Sequence, residues 1–217
     1  MKISVITPSI RPEGLKIVQQ SLEKQTFQDF EWLTEIGIPG RGHDLNAAYN
    51  RALRRARGEL IVSLQDFIKA PPQYLQKFWD TYQKEKTVFW TAPVGKVDNL
   101  EYTGKIIWDW RAFADAAVDW KCWEIDSGAA PLSALRQIGG FDEELDGFWS
   151  CDNLNVGCRA DIAGFKVKNL LDNPVIAYDH DAHIAHPFRE RFLPQINNDR
   201  MELFRNGLKI DYLRGVV

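Results

Sequence analysis

The sequence predicts an open, doubly wound α/β domain in which helices cover both faces of a mainly parallel sheet. Two observations carry that expectation. Strand-length apolar runs alternate with helix-period stripes through residues 1–95, giving β-α-β-α-β-α-β. One of the runs, Glu59 to Leu64 (ELIVSL), is almost continuously apolar, as suits a strand buried on both faces.

The first strand is expected at Ile3 to Thr7, which is rich in β-branched residues. Pro8 and Arg11-Pro12 break it, and Pro12 suits the first turn of a helix because its φ is fixed and it needs no amide partner. Leu15, Val18 and Leu22 follow at helical spacing. A second strand spans Phe30 to Glu35, closed by a loop containing Gly37, Pro39, Gly40 and Gly42. Asp44 stands as the N-cap of the clearest amphipathic helix, whose stripe is Leu45, Ala48, Tyr49, Ala52, Leu53 and Ala56. Gly58 ends that helix before ELIVSL. A further helix begins near Pro71-Pro72, with Leu75, Phe78, Trp79 and Tyr82 on one side, and Val88 to Ala92 makes the next strand.

The second half is less regular. A linker-like, Trp-rich stretch from Gly95 to Lys121 leads to a strand ending near Asp126-Ser127-Gly128, then a short helix around Ala134 to Ile138. Leu154, Cys158 and Ile162 share a helical face that Gly164 terminates, Lys166 to Leu170 forms a strand, and a final helix runs from about Arg191 to Asn206, closed by Gly207. No internal repeat or second domain is visible, so residues 1–217 read as one domain.

Composition narrows the functional classes. With 45% hydrophobic and 26% charged residues among 217, the chain can build a sizeable core, which excludes disorder. No run approaches the ~20 apolar residues of a membrane span, and MKISVITPSI reads as strand rather than signal peptide. Cys122, Cys151 and Cys158 show no C-x-x-C spacing and read as reduced thiols; together these features place the chain in the cytoplasm. A net charge of −3 gives no reason to expect a polyanionic partner, and Arg51, Arg54, Arg55 and Arg57 read as a solvated helix face. Five of the eight tryptophans, Trp108, Trp110, Trp120, Trp123 and Trp149, lie close together in the sequence. They serve either core packing or a stacking surface for a flat ligand such as a sugar ring. In doubly wound sheets ligands sit at the carboxyl ends of the strands, here Thr7-Pro8-Ser9, Glu35 and Gln65-Asp66.

Five segments then stand in a familiar order: ISVITPSIRPEGLKIVQQSLEKQTFQDFEWL, NAAYNRALRRARGELIVSLQD, IGGFDEEL, CDNLNVGCRADIAGF and a histidine-bearing strand end. In these the chain resembles the family 2 glycosyltransferases, over roughly Ile3 to His186. The resemblance implies a GT-A fold with a nucleotide-sugar-binding half (1–95), an acceptor and catalytic half (96–190) and a C-terminal helix and tail (191–217). It also implies transfer of a hexosyl-type sugar from a nucleotide sugar, a UDP-sugar by preference, to an acceptor hydroxyl with inversion. The acceptor could be a glycan, a lipid-linked saccharide, a protein or a modified nucleic-acid base.

Carried over residue by residue, the resemblance puts Thr7, Pro8, Ser9, Arg11, Glu35, Asn50, Gln65 and Asp66 on the nucleotide sugar. Gln65-Asp66-Phe67 occupies the place of the family's D-x-D motif, which implies a divalent metal, Mn²⁺ or Mg²⁺, held by Asp66 with His180 and His183. Only one carboxylate of that motif is present, so the metal would lean on substrate phosphates and water. Asp152 matches the general base of inverting members, although an Asp opening a helix also serves as its N-cap; Cys151 replaces the acidic residue that usually precedes it. Trp123, Asp126, Gly140 and Trp149 would frame the acceptor. A non-catalytic nucleotide-sugar or carbohydrate-binding protein of the same fold is the alternative. A nucleotidylyltransferase lacks its Gly-rich loop here, and a zinc hydrolase would rest on the late histidines alone.

Overall fold

A computed structural model of the chain describes residues 1–10, 12–37, 44–97, 106–147, 152–178 and 194–214. Its elements, in chain order, are β1 (Ile3–Ser9), α1 (Pro12–Leu22), β2 (Phe30–Ile36), α2 (Leu45–Arg55), β3 (Leu60–Ser63), β4 (Ile68–Lys69), α3 (Tyr74–Lys84), β5 (Val88–Thr91), β6 (Val94–Val97) and β7 (Ile107–Trp108). They continue with β8 (Ala117–Val118), β9 (Ala129–Pro131), α4 (Leu132–Gln137), α5 (Asp152–Ile162), β10 (Lys166–Asn169), β11 (Val175–Tyr178) and α6 (Pro194–Arg205).

The main sheet has seven strands in the order β2-β1-β3-β9-β5-β10-β8. β1 runs parallel to β2 and β3, and β10 parallel to β5, whereas β9 and β8 are antiparallel to their neighbours. Strand pleating divides the core in two. Ile3 and Val5 of β1, Leu60 and Val62 of β3, and Val88 and Trp90 of β5 face α1 and α3, joining Val18, Leu22, Leu75 and Phe78. Ile6, Ile61 and Phe89 point the other way, to Tyr49 and Leu53 of α2, Leu135 of α4 and Val156 of α5. The predicted fold class is therefore present: a mixed α/β domain with a mostly parallel sheet and helices on both faces.

The structure corrects several element expectations. Asp126-Ser127-Gly128 precedes a strand rather than ending one, since β9 starts at Ala129 and runs antiparallel between β3 and β5. The stretch read as a linker contributes β6, β7, β8 and two 3₁₀ turns. β6 and β7 join a second sheet, β4-β11-β6-β7, which went unforeseen because two-residue strands carry too little alternation to read. Asp44 makes no side-chain capping bond to α2; its carboxylate accepts instead from Arg51 Nη2 at 3.3 Å. The glycine stops were legible: Gly164 and Gly207 adopt φ of 86° and 96°, the left-handed conformation a helix terminus favours.

Candidate functional site

Parallel strands end on a common edge, and Thr7, Pro8, Ser9, Glu35 and Asp66 lie along it. Pro8 pairs with Glu35 across β1 and β2. Thr7 accepts a hydrogen bond from Trp32 Nε1 at 3.0 Å, and the buried Ser9 hydroxyl donates to Asp66 Oδ2 at 2.6 Å. Gly14 in the first turn of α1 lets that helix close on the same point, for a Cβ there would stand 2.5 Å from the Asp66 carbonyl oxygen. The backbone amide of Gln65 donates to the Asp126 carbonyl at 3.3 Å, tying the segment before β9 to the end of β3.

The charges of three carboxylates bear on one buried phenol. Tyr49 of α2 is buried beneath the site and hydrogen-bonds Ser63 at the end of β3. Burial holds its hydroxyl far above the ordinary tyrosine range, and the charges of Asp126, Asp152 and Asp66 push in the same direction.

Asp152 opens α5 with its side chain buried. Its Oδ1 accepts from Asn46 Nδ2 at 2.6 Å. Burial raises its pKa to about 6, the Asn46 hydrogen bond opposes the rise, and the charge of Asp142 adds to it. The same Asn46 amide donates to Asp146 Oδ1 at 3.0 Å, and Asp146 also accepts from the backbone amides of Asn46 (2.8 Å) and Ala47 (3.0 Å). Asp146 is thus the carboxylate that caps α2, the role expected of Asp44, and it does so from 100 residues away. Burial carries Asp146 to about 6 as well, against its hydrogen bonds from Ala47 and Asn46.

Arg111 organises the other flank. Almost fully buried at 3% exposure, it reaches Asp126 from Nη1 (2.9 Å) and Nη2 (3.1 Å), Asp109 from Nε (2.7 Å), and the hydroxyls of Thr91 (3.1 Å) and Ser127 (3.0 Å). Burial alone would lower its pKa, but Asp126 and Asp109 outweigh that and hold it above the usual arginine value. Beside this group Glu124 accepts from Asn153 Nδ2 at 2.7 Å. Burial raises the Glu124 carboxyl to about 7, helped by the charge of Asp126.

Other expected site residues have framework surroundings. Asn50 is fully buried; its amide donates to the Phe141 carbonyl (2.9 Å) and Glu143 (2.8 Å) while its oxygen accepts from the Phe141 amide (2.8 Å). Those bonds clamp α2 to the Gly139-Gly140 turn rather than present Asn50 to a ligand. Gly140 is buried too, with φ of 82°, and a Cβ there would meet Asn50 Oδ1 at 2.5 Å and Leu213 at 3.0 Å. Trp123 is 2% exposed and packs on Phe89 at 5.7 Å and Phe141 at 6.4 Å, a core position with no open face for a sugar. Glu35 is bonded by Arg51 Nε at 2.8 Å and by Arg55. Arg57 holds Glu31 at 2.7 Å and Arg54 donates to the Tyr212 carbonyl at 2.6 Å, so the arginine cluster is spent on ion pairs and a backbone contact. Arg11, Trp149, His180, His183 and Cys151 lie outside the described residues. Cys122 and Cys158 are free thiols, and both are raised by burial.

Sequence reasoning missed Asn46, Asp146, Arg111 and Glu124. Asn46 had a signal: it and Asn50, four residues apart, lie on the otherwise apolar buried face of α2. Asp146 and Glu124 had none, because only the folded chain brings them to α2 and α5.

Among the described residues no group of three or more His, Cys, Asp or Glu could hold a metal ion. The carboxylate of Asp66, at the place of the D-x-D motif, accepts from Ser9. None of the described helices is long and apolar enough to cross a membrane.

No family model matches the chain, and no curated protein matches it. Solved structures do. The crystal structure of Staphylococcus aureus TarS residues 1–349 in complex with UDP-GlcNAc is similar with a TM-score of 0.70 at 16% identity, covering 94% of this chain and 65% of that one. The same TarS fragment in complex with UDP is similar with a TM-score of 0.63 at 16% identity, covering 95% and 71%. Longer TarS gives a TM-score of 0.63 at 15% identity, covering 95% of this chain and 43% of that one. The chain thus spans about two thirds or less of the length of most of these structures, and what the likeness establishes is the fold, that of GT-A-like glycosyltransferases.

Proposed function

We propose that the protein is a glycosyltransferase that moves a sugar from a UDP-sugar to an acceptor hydroxyl with inversion at the anomeric carbon. The observation that carries this reading is a GT-A-like sheet whose strand ends hold the Ser9–Asp66 hydrogen bond, tied to Asp126 through the Gln65 amide, with the buried Asp152 opening α5. The crystallised TarS fragments bind UDP-GlcNAc and UDP, which supports a uridine diphosphate donor here. Pro8, Ser9, Gln65 and Asp66 would line the nucleotide at the strand ends, with Glu35 paired beside Pro8; Arg11 is assigned to it by the sequence resemblance alone. A divalent metal, if bound by Asp66 and the diphosphate, would neutralise charge on the leaving group.

Asp152 is the base in this mechanism. As the acceptor oxygen bonds to the anomeric carbon, the bond from that carbon to the β-phosphate oxygen breaks, and its electron pair leaves with UDP. The acceptor hydroxyl proton passes to Asp152. Burial equips the residue for this proton transfer, since a carboxylate with a pKa of about 6 is a stronger base than an ordinary one and remains ionised at neutral pH. Asn46 holds its Oδ1 by one hydrogen bond and so fixes its orientation.

Incubation with radiolabelled UDP-GlcNAc, with and without Mn²⁺, and a mixture of hydroxylated acceptors tests the assignment. Release of UDP together with a product of opposite anomeric configuration is the expected result. A second reading, a non-catalytic binder, is favoured by the single carboxylate in the D-x-D place and the ion-paired Glu35. Tight UDP-GlcNAc binding without hydrolysis or transfer would establish it instead.

A further inference from the structure

The segment from Ile107 to Phe113 shows its apolar side chains to solvent: Ile107 is 65% exposed, Trp108 36%, Trp110 42% and Phe113 80%. Apolar side chains left out together on a folded surface mark a contact site. The backbone beneath is fixed rather than loose. β7 pairs with β6, placing Trp108 opposite Gly95, and a Cβ on Gly95 would stand 2.9 Å from Cζ3 of that indole. The indole therefore rests on bare backbone. Asp109 accepts from the Arg111 amide at 3.1 Å, and the Arg111 guanidinium reaches inward to Asp126, Thr91 and Ser127. Asn169 at the end of β10 donates to the Arg111 carbonyl at 2.7 Å. Trp110 and Phe113 stand on either side of this anchor.

Charge selects the occupant. Within residues 106–127 the acids Asp109, Asp115, Asp119, Glu124 and Asp126 outnumber Arg111 and Lys121; Lys96 of β6 pairs opposite Ile107 and offsets one charge, and Arg111 is already paired to two of the acids. An acidic surround repels nucleic acid and other polyanions. Carboxylates beside indole rings instead fit a neutral polyhydroxylated ligand: the rings cover its C–H faces and the carboxylates accept from its hydroxyls. Below the ledge, Arg111 is bonded to Asp126, and Glu124, two residues before Asp126, is bonded to Asn153 of α5.

We propose that Trp108, Trp110 and Phe113 form a binding ledge for a neutral oligosaccharide, the acceptor chain whose terminal hydroxyl is presented to Asp152. The ledge takes over the stacking role that Trp123, buried in the core, cannot fill. The acceptor assignment rests on the glycosyltransferase reading; the sugar binding itself does not.

The test is a tryptophan-fluorescence titration of the full chain with cellohexaose, chitohexaose and maltohexaose, with poly(U) RNA and heparin in parallel, on wild type and the double variant W110A/F113A. Both side chains are exposed, so the variant should keep the wild-type melting temperature. Saturable binding of at least one hexasaccharide is expected, weakened roughly tenfold in the variant, as loss of stacking worth about 1.4 kcal/mol requires. UDP binding should be unchanged. Absence of saturable binding by all three hexasaccharides, equal affinity in the variant, or preference for poly(U) or heparin overturns the proposal. So does concentration-dependent self-association in sedimentation that the double variant abolishes, since the ledge would then be an interface between copies. Hexasaccharide binding without any UDP binding would leave the ledge standing and sink the transferase reading.

Discussion

At the scale of single residues, Asp152 carries the sharpest expectation. Its folded pKa of about 6 lies above the ordinary aspartate value of about 3.9, so between those pH values the folded state holds more protons than the unfolded one. Stability contributed by this group is therefore full below about pH 4 and lost as pH rises through about 6. Asp152→Asn removes the buried charge while its amide oxygen can still accept from Asn46. The variant should be at least as stable as wild type at pH 7.5, by up to about 2–3 kcal/mol from a shift of about two pH units, and the advantage should vanish near pH 4 in urea melts. Its kcat should nevertheless fall by about 10²- to 10⁴-fold, the usual worth of general-base help. In wild type kcat/KM should rise with pH through about 6. Asn46→Ala should move that limb upward, because the lost hydrogen bond favours the charged carboxylate; a limb that stays in place would show that Asn46 does not act on Asp152.

Elements are joined here by bonds that no local pattern announces. Helix α2 looks capped by its neighbour Asp44, yet the carboxylate that meets its first amides belongs to Asp146. Asp146→Ala should cost about 0.5–2 kcal/mol in chemical denaturation, and Asp44→Ala less, since the latter loses only a 3.3 Å contact with Arg51. The ledge segment depends on Arg111 in a stronger way. Arg111→Met would leave Asp109 and Asp126 without their buried cation, a loss of about 3–5 kcal/mol. Mild proteolysis should then cut first within residues 106–127. A third junction is the turn after α4, where Gly139 has φ of 83° and lies against the C-terminal tail. A Cβ there would fall 2.0 Å from the Ile210 carbonyl oxygen, so Gly139→Ala should release the tail and abolish the Tyr212 amide bond to Gly139, read as faster hydrogen exchange at Tyr212.

For the whole molecule, the testable property is linkage between donor binding and stability. A ligand that binds only the folded state adds about 2.7 kcal/mol at one hundred times its Kd. In a domain of this size that is about 5–10 °C in melting temperature. UDP and UDP-GlcNAc should each give such a shift, while an equal concentration of glucose should not. Asp66→Ala should reduce the UDP shift more than the shift with uridine, because the carboxylate acts at the diphosphate. Equal reductions would remove Asp66 from the diphosphate site.

Local sequence pattern was enough for the α/β class and most of the long elements. Those features are local: ELIVSL is apolar because both faces of β3 are covered, the stripe of α2 repeats at the helical period, and Gly164 and Gly207 stop helices where φ must turn positive. It also named Asp66, Asp126 and Asp152, by resemblance of their flanking segments. Tertiary structure decided what those carboxylates touch. Asn46, Asp146, Arg111 and Glu124 act through contacts that cross 15 to 106 residues of chain, and no periodicity records a contact of that kind. The tryptophans make the same point: Trp123 and Trp110 sit 13 positions apart in similar company, yet β5 and α5 bury one while Arg111 turns its neighbour outward. Which aromatic ring faces solvent is a property of packing, and only the folded chain settles it.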